Sequence, residues 1–136
     1  MSAPTPQHWG RSQKYHARPR HIYALLFEAA GCCYVGQTVD LHQRARQHQR
    51  GDWAQDFVLV PLALVQGTEA EAADHEMAWR LAAQRRGWRI YAGPPGVIVD
   101  PRRRATGSQR RLARRCRWPI RSRWSRWLAA LAARWF

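Results

Sequence analysis

An α+β fold is the class this chain predicts, on three observations. A short apolar run, Ile22–Glu28, leads through the glycine-bearing turn Ala29-Ala30-Gly31 into a second strand-like run, Cys32–Gln37, which together read as a hairpin. A polar stretch with helical spacing then extends to about Arg50, ahead of a third apolar run, Phe57–Val65. Lastly, Thr68-Glu69-Ala70-Glu71 opens a second helix that reaches about Arg86. The order is hairpin, helix, strand, helix.

Each element has a local chemical reason. Thr38 or Asp40 offers a side-chain oxygen to cap the first helix, and Gly51 stands where a left-handed residue would end it. On that helix Leu41, Ala45 and His48 share a face, while Arg44 and His48, at i and i+4, project together. Pro61 cannot donate to a ladder, so the third apolar run is an edge strand or a bulged one. In the second helix Thr68 and Glu71 form a capping box, and Gly87 closes the far end. Ala72, Glu76, Trp79 and Ala83 lie on one face, so Glu76 emerges beside a packed tryptophan. Trp88–Tyr91 and Val97–Val99 read as short extended pieces around the loop Gly93-Pro94-Pro95-Gly96.

With 136 residues there is room for one compact domain and some arms. The formal net charge of +14 is unevenly spread. Residues 1–20 carry four basic side chains and no acid; residues 21–100 carry seven arginines and all nine acids; residues 101–136 carry twelve arginines and no acid. The expected organisation is a flexible basic arm over 1–20, a near-neutral domain over 21–100 and an Arg/Trp-rich extension over 101–136. Within that extension Ile120, Trp124, Trp127, Leu128, Leu131 and Trp135 fall at helical spacing, predicting an amphipathic helix over 120–136. Lys14 is the only lysine and asparagine is absent, so the preference for arginine is compositional. The confinement of acids to 21–100 is not. Cationic ends point to a polyanion, nucleic acid before anionic membrane. The candidate contacts are Arg46, Arg102, Arg103, Arg104, Arg110, Arg111, Arg114 and Arg115. For residues 101–136, DNA contact, a packing or dimerisation face and a membrane-surface helix all stay open.

Three cysteines, two of them the adjacent Cys32 and Cys33, do not make a disulfide framework, and no Cys/His spacing matches a zinc site. No run approaches the ~20 apolar residues of a membrane span, and no apolar leader opens the sequence. A cytoplasmic setting is the expectation.

The chemistry gathers on a few residues. His21-Ile22-Tyr23 and Tyr34-Val35-Gly36 put one tyrosine on each arm of the hairpin; Arg44 and His48 follow on the first helix and Glu76 on the second. Over about residues 21–96 this ordered set resembles the GIY-YIG nuclease family, most specifically through Tyr34-Val35-Gly36-Gln37-Thr38-x-Asp40-Leu41-x-x-Arg44-x-x-x-His48. The resemblance implies a small three-stranded antiparallel sheet flanked by helices, here followed by a basic helical extension. It implies Tyr23, Tyr34, Arg44, His48 and Glu76 as catalytic residues, Glu76 being the ligand of one Mg²⁺ or Mn²⁺, and an endonuclease acting on DNA, with RNA open. Two departures stand out: His21 replaces the first glycine, and the family's late asparagine is missing, with Tyr91 nearest its place.

The residue types suit phosphodiester hydrolysis, which needs an activated water, neutralised phosphoryl oxygens and a stabilised leaving group. Arg44 offers a permanently charged planar fork for a phosphate. Glu76 is a hard oxygen ligand for a cation that keeps several waters. Tyr23 is the candidate base or water-orienting group, Tyr34 orients water or phosphate, and His48 holds a phosphate oxygen or assists proton transfer. A single centre cuts one strand, so a double-strand break calls for a homodimer or two encounters. The alternatives are a catalytically weakened nucleic-acid-binding module and, third, a cationic membrane-active protein.

Overall fold

Strand β1 (Arg20–Phe27) and strand β2 (Cys32–Thr38) form the antiparallel hairpin, with Tyr23 opposite Gly36 and Leu25 opposite Tyr34. Gly31 makes the return possible: its φ of 66° is the left-handed conformation that a side chain disfavours. The computed structural model describes residues 19–51 and 53–119. The arm expected over 1–20 therefore falls almost wholly outside the described residues, as does the amphipathic helix expected over 120–136.

Strand β3 (Val58–Val65) pairs antiparallel with the other side of β1 and forms one edge of the sheet. The register shifts between Ile22 and Tyr23, where Tyr23 faces Pro61. Both expectations for that proline hold together, because a missing N–H is tolerated where pairing is already interrupted or absent. Strand β4 (Arg89–Tyr91) lies on the far side of β2, parallel to it, and pairs only at Cys32 and Cys33. Strand β5 (Ile98–Val99) completes the sheet antiparallel to β4.

Among the described residues the sheet is thus five-stranded and mixed, in the order β3-β1-β2-β4-β5, and the expected three-stranded antiparallel sheet is corrected on that point. A long helix separates β3 from β4 and returns the chain in the parallel sense, as a crossover does. Strands of three and two residues carry too little periodicity to be read firmly from sequence.

Helix α1 (Leu41–Arg50) starts at Asp40, whose Oδ1 accepts from the Gln43 N–H at 3.0 Å. Thr38 instead bonds the Asp40 backbone. Gly51 ends the helix in an extended conformation, φ −86°, and not in the left-handed one expected of it. Helix α2 (Glu69–Arg85) starts at Thr68, whose Oγ1 accepts from the Glu71 N–H at 3.1 Å, and it is followed by Gly87 at φ 94°.

The period-2 alternation of β1 and β2 divides the core into two layers. Ile22, Ala24, Leu26, Cys33 and Val35 face α2, against Ala72, Ala78, Trp79, Ala82 and Ala83. Tyr23, Leu25, Phe27 and Cys32 face the other way, toward Leu41 of α1, Trp53 and Phe57. Burial pushes the Cys33 thiol up to about 12, so it is a packing group and not a nucleophile.

The core does not stop at residue 100. After a 3₁₀ turn (Pro101–Arg103), helix α3 (Gly107–Ala113) is capped by Thr106 in a full capping box with Gln109 and packs on α2. Ala113, Cys116 and Trp118 are buried, and the Trp118 ring lies 6.4 Å from Trp79 and 6.5 Å from Trp88. Arg85 donates to the carbonyls of Ala113 and Cys116 at 3.3 Å, setting a cation at the negative end of α3. Among the described residues no helix is long and apolar enough to cross a membrane.

Truncating Trp118 to alanine should therefore cost about 3–5 kcal/mol, the range for a large aromatic removed from a core. Urea unfolding followed by circular dichroism should record a lower midpoint with an unchanged slope.

Candidate functional site

A missing side chain makes the site possible. Gly36 sits on β2 opposite Tyr23, and a Cβ built there would lie 2.7 Å from Tyr23 Oη, 2.9 Å from Tyr23 Cζ and 3.0 Å from Tyr34 Cε1. The Tyr23 ring can lie across the backbone of β2 only because glycine leaves that space empty. The two phenol rings stand 6.4 Å apart, centroid to centroid.

Helix α1 delivers the next two groups. The Asp40 cap fixes its start, and Arg44 and His48 then follow one turn apart on the face toward the hairpin. His48 Nε2 lies 2.7 Å from Tyr23 Oη, and the imidazole sits edge-on to Tyr34 at 5.7 Å. Its Nδ1 accepts the indole N–H of Trp53 at 3.1 Å. Burial and the nearby Arg44 charge both push His48 below the ordinary imidazole value, so at neutral pH it is uncharged. Arg44 also bears on both phenols, and its Nε is buried with no partner in the protein. A guanidinium with an unanswered N–H is suited to an anion.

Glu76 comes from α2, on the opposite face of the sheet, and lies close enough to β2 for its charge to bear on both tyrosines. Since β4 leaves β2 after Cys33, the stretch from Tyr34 to Thr38 has, among the described residues, no strand on the side away from β1. Gln37, on the α2 side by strand alternation, donates its Nε2 to Glu76 Oε2 at 2.9 Å. Arg80, one turn further along α2, forms a salt bridge with Glu76 Oε1 and donates to the Val35 carbonyl at 3.3 Å. The Glu76 charge is felt by both tyrosines, raising each phenol.

Burial is the main reason both phenols lie above the usual tyrosine value; for Tyr23 the adjacent Tyr34 adds to it and Arg44 opposes it. At neutral pH the site therefore presents two uncharged phenols, an uncharged imidazole, two guanidinium groups and one carboxylate. The local excess of positive charge suits a phosphodiester.

The residues fit a single hard divalent cation. A carboxylate has about four acceptor positions, of which Gln37 and Arg80 occupy two. Gln37 Oε1 is buried without a hydrogen-bond partner, leaving an amide oxygen unanswered beside the carboxylate. One carboxylate and one amide oxygen suit an ion that retains several waters. Among the described residues no cluster of three or more His, Cys, Asp or Glu could hold a metal.

Tyr23, Tyr34, Arg44, His48 and Glu76, all singled out from sequence, thus converge on one edge of the sheet. The arginines expected to contact nucleic acid are spread more widely. Arg46 is exposed on α1; Arg103, Arg104, Arg111, Arg114 and Arg115 are exposed on the segment carrying α3. Arg102 pairs with Asp100, and Arg110 donates to the Arg102 carbonyl at 2.8 Å. Tyr91 stands in the apolar layer with Phe27 and Trp53, its hydroxyl accepting from Gln55 Nε2 at 2.9 Å.

Three residues of the site escaped sequence reasoning. Arg80 had a usable signal in its i+4 spacing from Glu76. Gln37 had one in strand parity, which sets it on the face of Val35 and not of Tyr34. Trp53 had none, since it follows the end of α1 with no periodicity of its own.

Residues 19–65 match the family model described as the GIY-YIG catalytic domain, which bears out the resemblance carried by the tyrosine pair and by Arg44 and His48. Glu76 lies beyond the matched span. No curated protein and no solved structure matches the chain. The homodimer that the sequence left open finds no support in these comparisons.

Gly36→Ala should displace the Tyr23 ring, whose buried hydroxyl cannot swing aside cheaply, and destabilise the fold by about 1–3 kcal/mol. Thermal melting and loss of native tyrosine fluorescence would record it.

His48 supplies a pH signature of the opposite sign to a salt-bridged histidine. Its folded value is depressed, so the unfolded chain binds the extra proton first. Stability from this group is complete above about pH 6.5 and is lost as the pH falls through the folded value. Arg44, Tyr23, Tyr34 and Trp53 face the ring, and none of them carries a negative charge at these pH values. The slope of melting temperature against pH below neutrality should diminish in His48→Gln.

Proposed function

We propose that this chain, whose residues 19–65 carry the GIY-YIG catalytic domain match, is an endonuclease that hydrolyses phosphodiester bonds in DNA with one divalent ion, Mg²⁺ or Mn²⁺. The match supports nuclease-type activity in general. The observation that carries the finer reading is the convergence of Tyr23, Tyr34, Arg44 and Glu76 at the edge of β2 left free by β4.

Arg44 takes a non-bridging phosphate oxygen through its planar guanidinium. Tyr23, held by His48 at 2.7 Å, orients the attacking water through its oxygen. Burial keeps its proton in place until added positive charge draws the phenol down, as Arg44 already does in part. Tyr34 flanks the same position and restricts where water and phosphate can sit. Glu76, steadied by the Gln37 amide, would hold the ion. When bound, the divalent ion polarises the phosphoryl group and stabilises the departing oxygen. One such centre cuts one strand. The exposed arginines of 102–115, with Arg46, supply the sequence-independent attraction for the backbone.

The second reading, a nucleic-acid-binding module with weakened catalysis, is favoured by one observation. Tyr91, nearest the place of the family's asparagine, is engaged in the apolar layer and offers no amide.

Supercoiled plasmid incubated with the protein should become nicked with Mg²⁺ or Mn²⁺ and stay intact with chelator. Glu76→Ala should abolish nicking, and Tyr23→Phe and Arg44→Ala should each slow it about 10²–10³-fold. Plasmid retention without metal-dependent nicking would favour the binding module, and undiminished nicking by Glu76→Ala would remove that carboxylate from the reaction.

A further inference from the structure

Trp53 lies outside every motif of the site, yet it makes the most constraining hydrogen bond in it. An indole nitrogen only donates. Its N–H meets His48 Nδ1 at 3.1 Å, so that ring nitrogen must be the unprotonated one. An uncharged imidazole carries one proton, which is therefore on Nε2, the atom 2.7 Å from Tyr23 Oη. The direction of that bond follows: His48 donates and the Tyr23 oxygen accepts.

We propose that Trp53 is a positioning residue that sets the tautomer of His48 and thereby makes His48 a donor to Tyr23, not a base that removes the Tyr23 proton. This rests on the nuclease reading for its catalytic meaning, though not for its chemistry. With one lone pair of the Tyr23 oxygen taken by the imidazole, the phenolic proton is left for the neighbouring Tyr34 hydroxyl, with which Tyr23 shares a hydrogen bond. Should the phenol lose its proton to the surroundings, the same Nε2–H bond becomes charge-assisted and holds the phenolate more firmly than the phenol. With the proton on Nδ1 instead, Nε2 would be an acceptor, and the Tyr23 proton would be spent on it.

The indole is held well enough to impose this. Trp53 packs at 4.8 Å from Phe27, 5.4 Å from Tyr34 and 5.7 Å from Tyr91, with rings tilted between 32° and 56°. Three aromatic neighbours fix its plane, and the plane aims the N–H. The groups bearing on His48 are Arg44, Tyr23, Tyr34, Trp53 and Phe57, and none of them is an acceptor anion that would draw a proton onto Nδ1.

The experiment is long-range ¹H–¹⁵N correlation on the full chain, with His48 assigned through loss of its peaks in His48→Gln. The expected spectrum has a protonated Nε2 and an unprotonated Nδ1, with both tautomers populated once Trp53→Phe removes the donor and keeps the ring. A wild-type His48 protonated on Nδ1, or a tautomer unmoved in Trp53→Phe, overturns the proposal. If Trp53→Phe does not fold, the wild-type spectrum alone decides between the two tautomers.

The consequence is read separately in plasmid nicking. Trp53→Phe should lower kcat about 10–100-fold, as losses of ligand-orienting partners do, with KM little changed. It should cost little further in a His48→Gln background, where the amide can donate without a tautomer to set. Fully additive losses would mean that Trp53 does not act through His48. If no protein nicks and the tautomer is nonetheless as expected, the nuclease reading fails and the hydrogen-bond assignment stands.

Discussion

The close approach of Tyr23 to the backbone of β2 is the constraint on which the site depends. A phenol can cross a neighbouring strand only where that strand has no Cβ, and Gly36 provides the gap directly opposite. Everything else is then set by reach. His48 meets Tyr23 Oη because α1 begins at a capped Asp40 two residues after β2 ends. The tyrosine is thus simultaneously a core residue, essentially inaccessible, and the hub of a polar cluster. Those two properties conflict for a phenol in an apolar layer. They are reconciled by satisfying its hydroxyl with an imidazole that is itself uncharged.

The layered core explains how groups from opposite faces of one sheet come together. The phenols and the imidazole belong to the α1 layer, and Glu76 belongs to the α2 layer. In the middle of a sheet they would be separated by the backbone. They meet because β4 follows β2 for only two residues and then diverges, so the remainder of β2 is a rim that both layers can reach around. The helix that carries Glu76 is held by small residues, Ala72, Ala78, Ala82 and Ala83, which let it lie close to the sheet.

Much of this was legible in the sequence, and the exceptions have physical reasons. The hairpin, both long helices and the aberrant proline strand were readable because each carries several residues of periodicity or a capping signal. Tyr23, Tyr34, Arg44, His48 and Glu76 were singled out together through the family resemblance, and only the i, i+4 placement of Arg44 and His48 follows from spacing alone. The two short strands were not, since pairing at Cys32 and Cys33 is decided by a helix docking elsewhere. The burial of Pro101, Ala113, Cys116 and Trp118 was hidden behind a composition that announces charge, because among the described residues there the core contacts are few and scattered between exposed arginines. Trp53 was invisible for a different reason. Its importance lies in which way one N–H points, and no pattern of residue types encodes that.

The unpaired side of β2 also carries a hazard of its own. Unpaired strand backbone invites a strand from another molecule, and a site that needs this rim open cannot simply cover it. Arg80 answers part of the difficulty, because its guanidinium occupies the Val35 carbonyl that an incoming strand would seek and sets a cation in that strand's path. The residue that steadies the carboxylate thereby also takes one acceptor that edge-to-edge pairing would need.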